Sequence, residues 1–146
     1  MSNTTSSDPI GANLQENSKR EDIDITHIRS GTLGDLRDFA ESLNVSNYTG
    51  LQKKDLIPRI ERALVDQKKK LKGTGVLEVL SEGYGFLRSQ ASNYLSGPND
   101  IYVSPSQIRR FSLNTGDTVA GEVRSPKSSE RYLALLKIET INDEPP

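Results

Sequence analysis

The segment Glu82-Gly83-Tyr84-Gly85-Phe86-Leu87-Arg88 places two aromatic residues two positions apart, each preceded by a glycine. Because side chains alternate between the two faces of a strand, Tyr84, Phe86 and Arg88 would line the same face. Two large rings beside glycines form an open surface on which unstacked nucleic-acid bases can stack. The alternative is an ordinary amphipathic strand whose aromatic side chains face the core. The segment alone does not separate the two interpretations.

The composition restricts the class of protein. A chain of 146 residues has room for one domain or two small ones, and its hydrophobic fraction of 33% predicts that part of it is tail or linker. The sequence has no cysteine and a single histidine, His27, so a thiol site or a histidine cluster is not expected. It contains no apolar run of membrane-spanning length and no secretory signal pattern. We therefore expect a cytosolic protein that does not contact a membrane.

The charge is unevenly distributed although the formal net charge is −1. Residues 31–72 contain nine basic and six acidic residues, whereas residues 73–146 contain seven basic and nine acidic ones. Sequence-independent binding to duplex DNA requires many phosphate contacts, so this weak overall charge argues against it. A site built on stacking and on hydrogen bonds to base edges is compatible with this charge.

The N-terminal half predicts a tail followed by two helices. Residues 1–30 are rich in Ser, Thr, Asn and Asp without periodicity, which predicts a disordered tail in which a few isoleucines could dock locally. We expect residues 31–72 to form a small helical subdomain. Thr32 is the expected N-cap of its first helix. A second helix is expected to begin near Asp55 or to kink at Pro58. Two short helices are marginal alone, so we expect them to pack on a neighbouring domain.

The period changes to two in residues 73–146. Five short strands separated by turns, with a helical turn after Ser104-Pro105, predict a small closed barrel. The helical turn after the third strand and the aromatic pair on the second favour the OB type. The predicted fold class is α+β: a helical subdomain packed on a five-stranded antiparallel OB, cold-shock-like barrel, with a disordered N-terminal tail.

Several segments of the chain together resemble a known family. The aromatic segment resembles the first ribonucleoprotein motif, although Glu82 stands where a basic residue is usual. The region from Thr32 to Ile141 is similar to the N-terminal RNA-binding part of bacterial Rho-type transcription termination factors. The supporting runs are Gly75-Val76-Leu77-Glu78, Gly83 to Arg88, Asp100 to Phe111, Thr115-Gly116-Asp117, and Glu130 to Lys137. The family commonly has Phe where this chain has Tyr84, which preserves the stacking face.

The resemblance implies a site for single-stranded, cytosine-rich RNA. It implies base stacking on four rings, base-edge contacts from Arg88 and Asp100, and four polar residues around them. The stacking residues are Tyr84, Phe86, Tyr102 and Tyr132; the surrounding residues are Arg110, Lys127, Glu130 and Arg131. A carboxylate can accept from the cytosine amine while a guanidinium donates to the base acceptors, and uracil reverses both polarities. The alternative is that Arg88 and Asp100 form a plain surface salt bridge.

The family also implies activities of a longer protein. Its members are hexameric, ATP-dependent RNA helicases that end transcription. No Gly-x-x-x-x-Gly-Lys-Ser/Thr phosphate loop is present in this sequence, so we expect the chain to bind RNA without hydrolysing ATP. We also expect this chain to be a monomer. ATP and Mg²⁺ would be cofactors of the family's ATPase domain only. Two other functions stay open: a cold-shock RNA chaperone, which would bind oligo-U and oligo-C comparably, and a peptide-docking module, which would ignore both.

Overall fold

The computed structural model describes residues 22–89, 93–97 and 99–146. The chain separates into two compact units, Met1–Leu71 and Lys72–Pro146. The predicted tail at residues 1–21 lies outside the described residues. From residue 22 onward, where the structure describes it, the first unit contains a short strand and three helices. The second unit contains the sheet on which the aromatic segment lies.

The segment from Asp22 to Ser30 corrects the tail prediction, because it is regular structure. Strand β1 spans Asp22–Asp24 and helix α1 spans Ile25–Arg29, and all three isoleucines of the segment are buried. The Arg29 guanidinium donates two hydrogen bonds of 3.1 Å to the carboxylate of Glu61, which is fully buried. A buried carboxylate needs such a partner, so apolar burial and this ion pair together hold a segment whose composition predicted disorder.

Two longer helices complete the first unit. Helix α2 spans Leu33–Ser42, and the Thr32 hydroxyl accepts a hydrogen bond from the backbone N–H of Asp35, which confirms the predicted N-cap. Helix α3 spans Lys53–Asp66 and therefore begins two residues before the predicted start. Pro58 lies inside it on an exposed face, where the backbone carbonyl that loses its donor can be hydrated. Each helix buries one apolar face, made of Leu36, Phe39 and Ala40 in α2 and of Leu56, Ile60 and Leu64 in α3.

The second unit is a closed barrel of five strands. The strands are β2 (Lys70–Val79), β3 (Gly85–Arg88), β4 (Ile101–Val103), β5 (Thr118–Arg124) and β6 (Leu133–Ile141). Their order in the sheet is β2-β3-β4-β6-β5, and an additional pairing between β2 and β5 closes the barrel. Helix α4, Pro105–Arg110, follows β4 and is capped by Ser104 as predicted, with Gln107 completing a reciprocal capping box. The α+β class and the OB-like barrel are confirmed.

One strand pairing departs from the antiparallel prediction. Strands β4 and β6 are parallel, whereas the β2–β3, β3–β4 and β5–β6 pairs are antiparallel. The reason is topological: β5 and β6 form an antiparallel pair, so β6 returns to the direction of β4 after the chain has passed through α4 and β5. This parallel pair sets two sequence-distant strands side by side next to the aromatic segment.

Glycine is needed in the aromatic segment for close packing and for backbone conformation. A Cβ atom on Gly85 would lie 2.8 Å from the Glu78 carbonyl oxygen and 2.8 Å from the Leu77 side chain, so β3 can approach β2 only with glycine there. Gly83, in the turn between these strands, has φ +99°, a conformation that side chains disfavour. The two glycines therefore help to position the rings that follow them: Gly85 allows β3 to approach β2, and Gly83 allows the turn between these strands.

Candidate nucleic-acid interface

The strand register places five side chains in one row across the barrel. Phe86 on β3 pairs with Glu78 on β2 and with Tyr102 on β4, which pairs in turn with Ala134 on β6. Ala134 pairs with Arg124 on β5. Directly opposed residues share a face of the sheet, so the row crosses one surface of all five strands. Its two ends are charged and its centre is aromatic.

The four predicted stacking residues form one cluster of rings. The ring centroid of Phe86 lies 5.8 Å from that of Tyr84, 6.0 Å from that of Tyr102 and 4.9 Å from that of Tyr132. The Tyr84 and Tyr102 rings lie 5.7 Å apart at 34°. All four side chains are half-buried, so each ring has one part packed against a neighbour and another part open to a ligand. The local sequence pattern indicates Tyr84 and Phe86, the family resemblance adds Tyr102 and Tyr132, and the fold brings the four rings into one cluster.

Arg88 and Asp100 form a buried ion pair beside these rings. Arg88 Nη1 donates to Asp100 Oδ2, and Arg88 Nε donates to Glu78 Oε1 at 3.0 Å. Only 8% of Arg88 and 1% of Asp100 are exposed. The alternative prediction of a salt bridge on the protein surface is therefore wrong, because the pair is buried. Burial alone would lower the pKa of Arg88, but hydrogen bonds to Glu78 and Asp100 raise it, and the guanidinium stays charged. It also lies 5.1 Å from the centre of the Phe86 ring.

One oxygen of Asp100 is left without a partner. Oδ2 accepts from Arg88 and from the backbone N–H of Gly97 at 3.0 Å, whereas the buried Oδ1 has no hydrogen-bond partner among the described residues. An unsatisfied buried acceptor is costly unless another donor reaches it. This oxygen is also closed to solvent, so a ligand N–H can reach it only when neighbouring side chains move.

An open cavity of about 370 Å³ adjoins the rings. It is lined by Tyr102, Glu130, Arg131, Tyr132 and Ala134, so it joins the aromatic cluster to the loop at 125–132. Hydrogen bonds from the Arg124 guanidinium and from the Lys127 backbone N–H lower the pKa of Glu130 to about 2. The Lys127 side chain and Arg131 are exposed on this loop. The cavity therefore combines aromatic walls with a charged rim.

The remaining predicted residue, Arg110, lies at a different cavity. It ends α4, its guanidinium is 5.4 Å from the Phe111 ring centre, and the two residues line a second cavity of about 430 Å³ with Leu136 and Lys137. Sequence reasoning missed Glu78 and Arg124, which bind Arg88 and Glu130 respectively. Strand register brings both to the site, and no local motif indicates either.

Residues 22–89, 93–97 and 99–146 contain no group of three or more His, Cys, Asp or Glu side chains arranged to hold a metal ion. In the same ranges, every helix is too short or too polar to cross a lipid bilayer.

Comparison with known proteins gives two family matches that together cover most of the described chain. Residues 73–146 match the Rho termination factor RNA-binding domain, and residues 28–69 match the Rho termination factor N-terminal domain. The chain belongs to the Rho termination factor family. The first match contains the complete row of five residues from Glu78 to Arg124, and the second contains α2 and α3.

Curated Rho relatives are similar to the chain over the same region. Proteins named transcription termination factor Rho from Pseudomonas fluorescens biotype C, Allochromatium vinosum and Escherichia coli (strain K12) are 46%, 47% and 44% identical over 124 residues. These matches cover 85% of this chain but 30% of each relative. The chain thus spans about a third of the length of its Rho relatives, in the part that contains their RNA-binding domain.

Proposed function

We propose that the chain is a single-stranded RNA-binding module that prefers cytosine and supplies the primary RNA site of a Rho-type termination factor. The observation that carries the proposal is the cluster of four rings on the exposed face of an OB-like barrel. Stacking of a base on one aromatic ring is worth about 1–3 kcal/mol, and the OB fold uses this face for oligonucleotides. Membership of the Rho family supports RNA as the ligand.

The cytosine preference would rest on the buried pair beside the rings. Oδ1 of Asp100 is an unpaired, buried acceptor that a cytosine amine would satisfy once the side chains covering it move aside, and a uracil carbonyl at the same place would repel it. Arg88 holds Asp100 through Oδ2 and contributes a positive charge next to the Phe86 ring. One mismatched polar contact of this kind costs roughly 1–3 kcal/mol. Tyr84, Tyr102 and Tyr132 would supply further stacking, and Lys127 and Arg131 would contact phosphates.

The activity of the whole protein is part of the same proposal. In a longer chain this module would deliver C-rich RNA to a hexameric, ATP-dependent helicase in the bacterial cytoplasm, with ATP and Mg²⁺ bound by a separate domain. The chain described here would bind RNA without hydrolysing ATP.

The test is a titration of the chain with short oligo-C, oligo-U and oligo-A, repeated with Asp100→Asn. Asparagine keeps the shape of the side chain and adds an amide donor that can meet the uracil carbonyl. We expect the wild type to bind oligo-C most tightly and Asp100→Asn to lose most of the difference between oligo-C and oligo-U.

The matched control is Glu78→Gln, which removes the other carboxylate that binds Arg88 and leaves Asp100 in place. It should keep the ratio of oligo-C to oligo-U affinities. Circular dichroism must show that both variants stay folded. An unchanged ratio in folded Asp100→Asn contradicts the base-reading role, and equal wild-type binding of oligo-C and oligo-U favours a cold-shock chaperone instead.

A further inference from the structure

The loop between β5 and β6 is held by one ion pair. Arg124 is the last residue of β5, and its Nη1 and Nη2 atoms donate to the two Glu130 carboxylate oxygens at 2.6 Å and 3.0 Å. Glu130 Oε1 also accepts from the backbone N–H of Lys127 at 2.9 Å, and the Lys127 carbonyl accepts from the Glu130 backbone N–H at 2.9 Å. A single carboxylate thus ties a strand end to both ends of a tight turn.

This loop has little else to fix its conformation. Residues 127–131 are all exposed, and none of the buried apolar side chains comes from residues 124–132. Such a loop would otherwise sample many conformations, because exposed polar segments bury too little surface to offset their conformational entropy. The loop leads directly into Arg131 and Tyr132, and the Tyr132 ring packs 4.9 Å from Phe86.

We propose that Arg124 is a positioning residue for RNA binding: by clamping Glu130 it orders the loop so that Lys127, Arg131 and Tyr132 are in place before RNA arrives. This inference rests on the proposed RNA-binding function. It assigns Glu130 to the clamp, since both carboxylate oxygens are occupied by Arg124. A preorganised loop avoids the ordering cost of binding, which is about 0.5–1.5 kcal/mol per long side chain, so loss of the clamp should weaken RNA binding roughly 2- to 10-fold.

The experiment compares oligo-C affinity over a range of salt concentrations for Arg124→Gln, Glu130→Gln and the double variant. If the pair acts as a clamp, each single variant should bind oligo-C more weakly than the wild type. The double variant should bind no more weakly than the single variant with the lower affinity. The slope of log K against log salt concentration should equal that of the wild type in all three variants. Without RNA, ¹⁵N relaxation should show faster motion of the Lys127 amide in all three variants. Lys72→Gln, which breaks the barrel's Lys72–Glu139 ion pair, is the matched control and should change neither the amide motion nor the affinity.

Three results would overturn the proposal. A slope reduced by about one in Arg124→Gln would make this residue a phosphate contact. Wild-type affinity in the double variant would mean that only the net charge of the pair matters. An ordered Lys127 amide in folded Glu130→Gln would mean that the loop needs no clamp. Absence of oligo-C binding by the wild type would instead overturn the proposed RNA-binding function. That result is distinguishable from the three above, because each of them is measured with a wild type that binds oligo-C.

Discussion

The site contains two arginine–carboxylate pairs that differ in burial. Arg88–Asp100 lies almost entirely inside the protein, whereas about a third of each side chain of Arg124–Glu130 is exposed to solvent. A buried pair is costly to break because the remaining charge has no water to solvate it, and an exposed pair is cheap to break. We infer that the first pair is tied to the stability of the barrel and the second to the order of one loop.

The largest effect is expected from breaking the buried pair. Asp100→Ala should lower the free energy of unfolding by about 3–5 kcal/mol, because it leaves the Arg88 guanidinium buried with Glu78 as its remaining carboxylate partner. Urea denaturation followed by circular dichroism measures the loss. Glu130→Ala is the comparison and should leave the unfolding midpoint close to that of the wild type. Equal losses in the two variants would show that burial does not distinguish the pairs.

A smaller effect is expected from the ring that lies between the two pairs. Phe86 is half-buried and contacts three other rings, so Phe86→Ala should weaken oligo-C binding by about 1–3 kcal/mol with the barrel intact. Tyr94→Ala is the control, since this side chain is 50% exposed in a loop and we expect it to pack there without contacting a base. If Phe86→Ala unfolds the barrel while relative affinity stays constant, Phe86 is a core residue and its stacking role is wrong.

The smallest effect is expected when the pH is lowered until the carboxylate of the exposed Arg124–Glu130 pair is protonated. Arg124 and the Lys127 N–H lower the pKa of Glu130 from 4.5 to about 2, so the folded carboxylate stays ionised well below the pH at which the unfolded one protonates. The clamp is therefore fully present above pH 4.5 and is lost as the pH falls toward 2. The ¹³C shift of the Glu130 carboxyl carbon should titrate near the lower value. A midpoint near 4.5 would contradict the bidentate geometry.

The sequence alone predicted those secondary-structure elements whose formation depends on residues close in the chain. Thr32 and Ser104 begin their helices as predicted because an N-cap needs only one side-chain oxygen and the next turn of backbone. The strand that carries Phe86 was predicted because glycines and aromatic residues alternate along it. The prediction of a disordered tail is wrong for Asp22 to Ser30, since the order of this segment depends on Glu61, more than thirty residues away.

The residues of the site also divide into those that the sequence predicted and those that only the tertiary structure placed there. The sequence placed Tyr84, Phe86 and Arg88 together because they belong to one alternating segment, and the family resemblance supplied Asp100, Tyr102 and Tyr132. Only the tertiary structure brought Glu78 and Arg124 to the two ends of the aromatic row, since the register of five strands is set by barrel closure and not by local pattern. Only the tertiary structure also decided that Asp100 is buried and Glu130 is exposed, because burial depends on what the rest of the chain packs above each carboxylate.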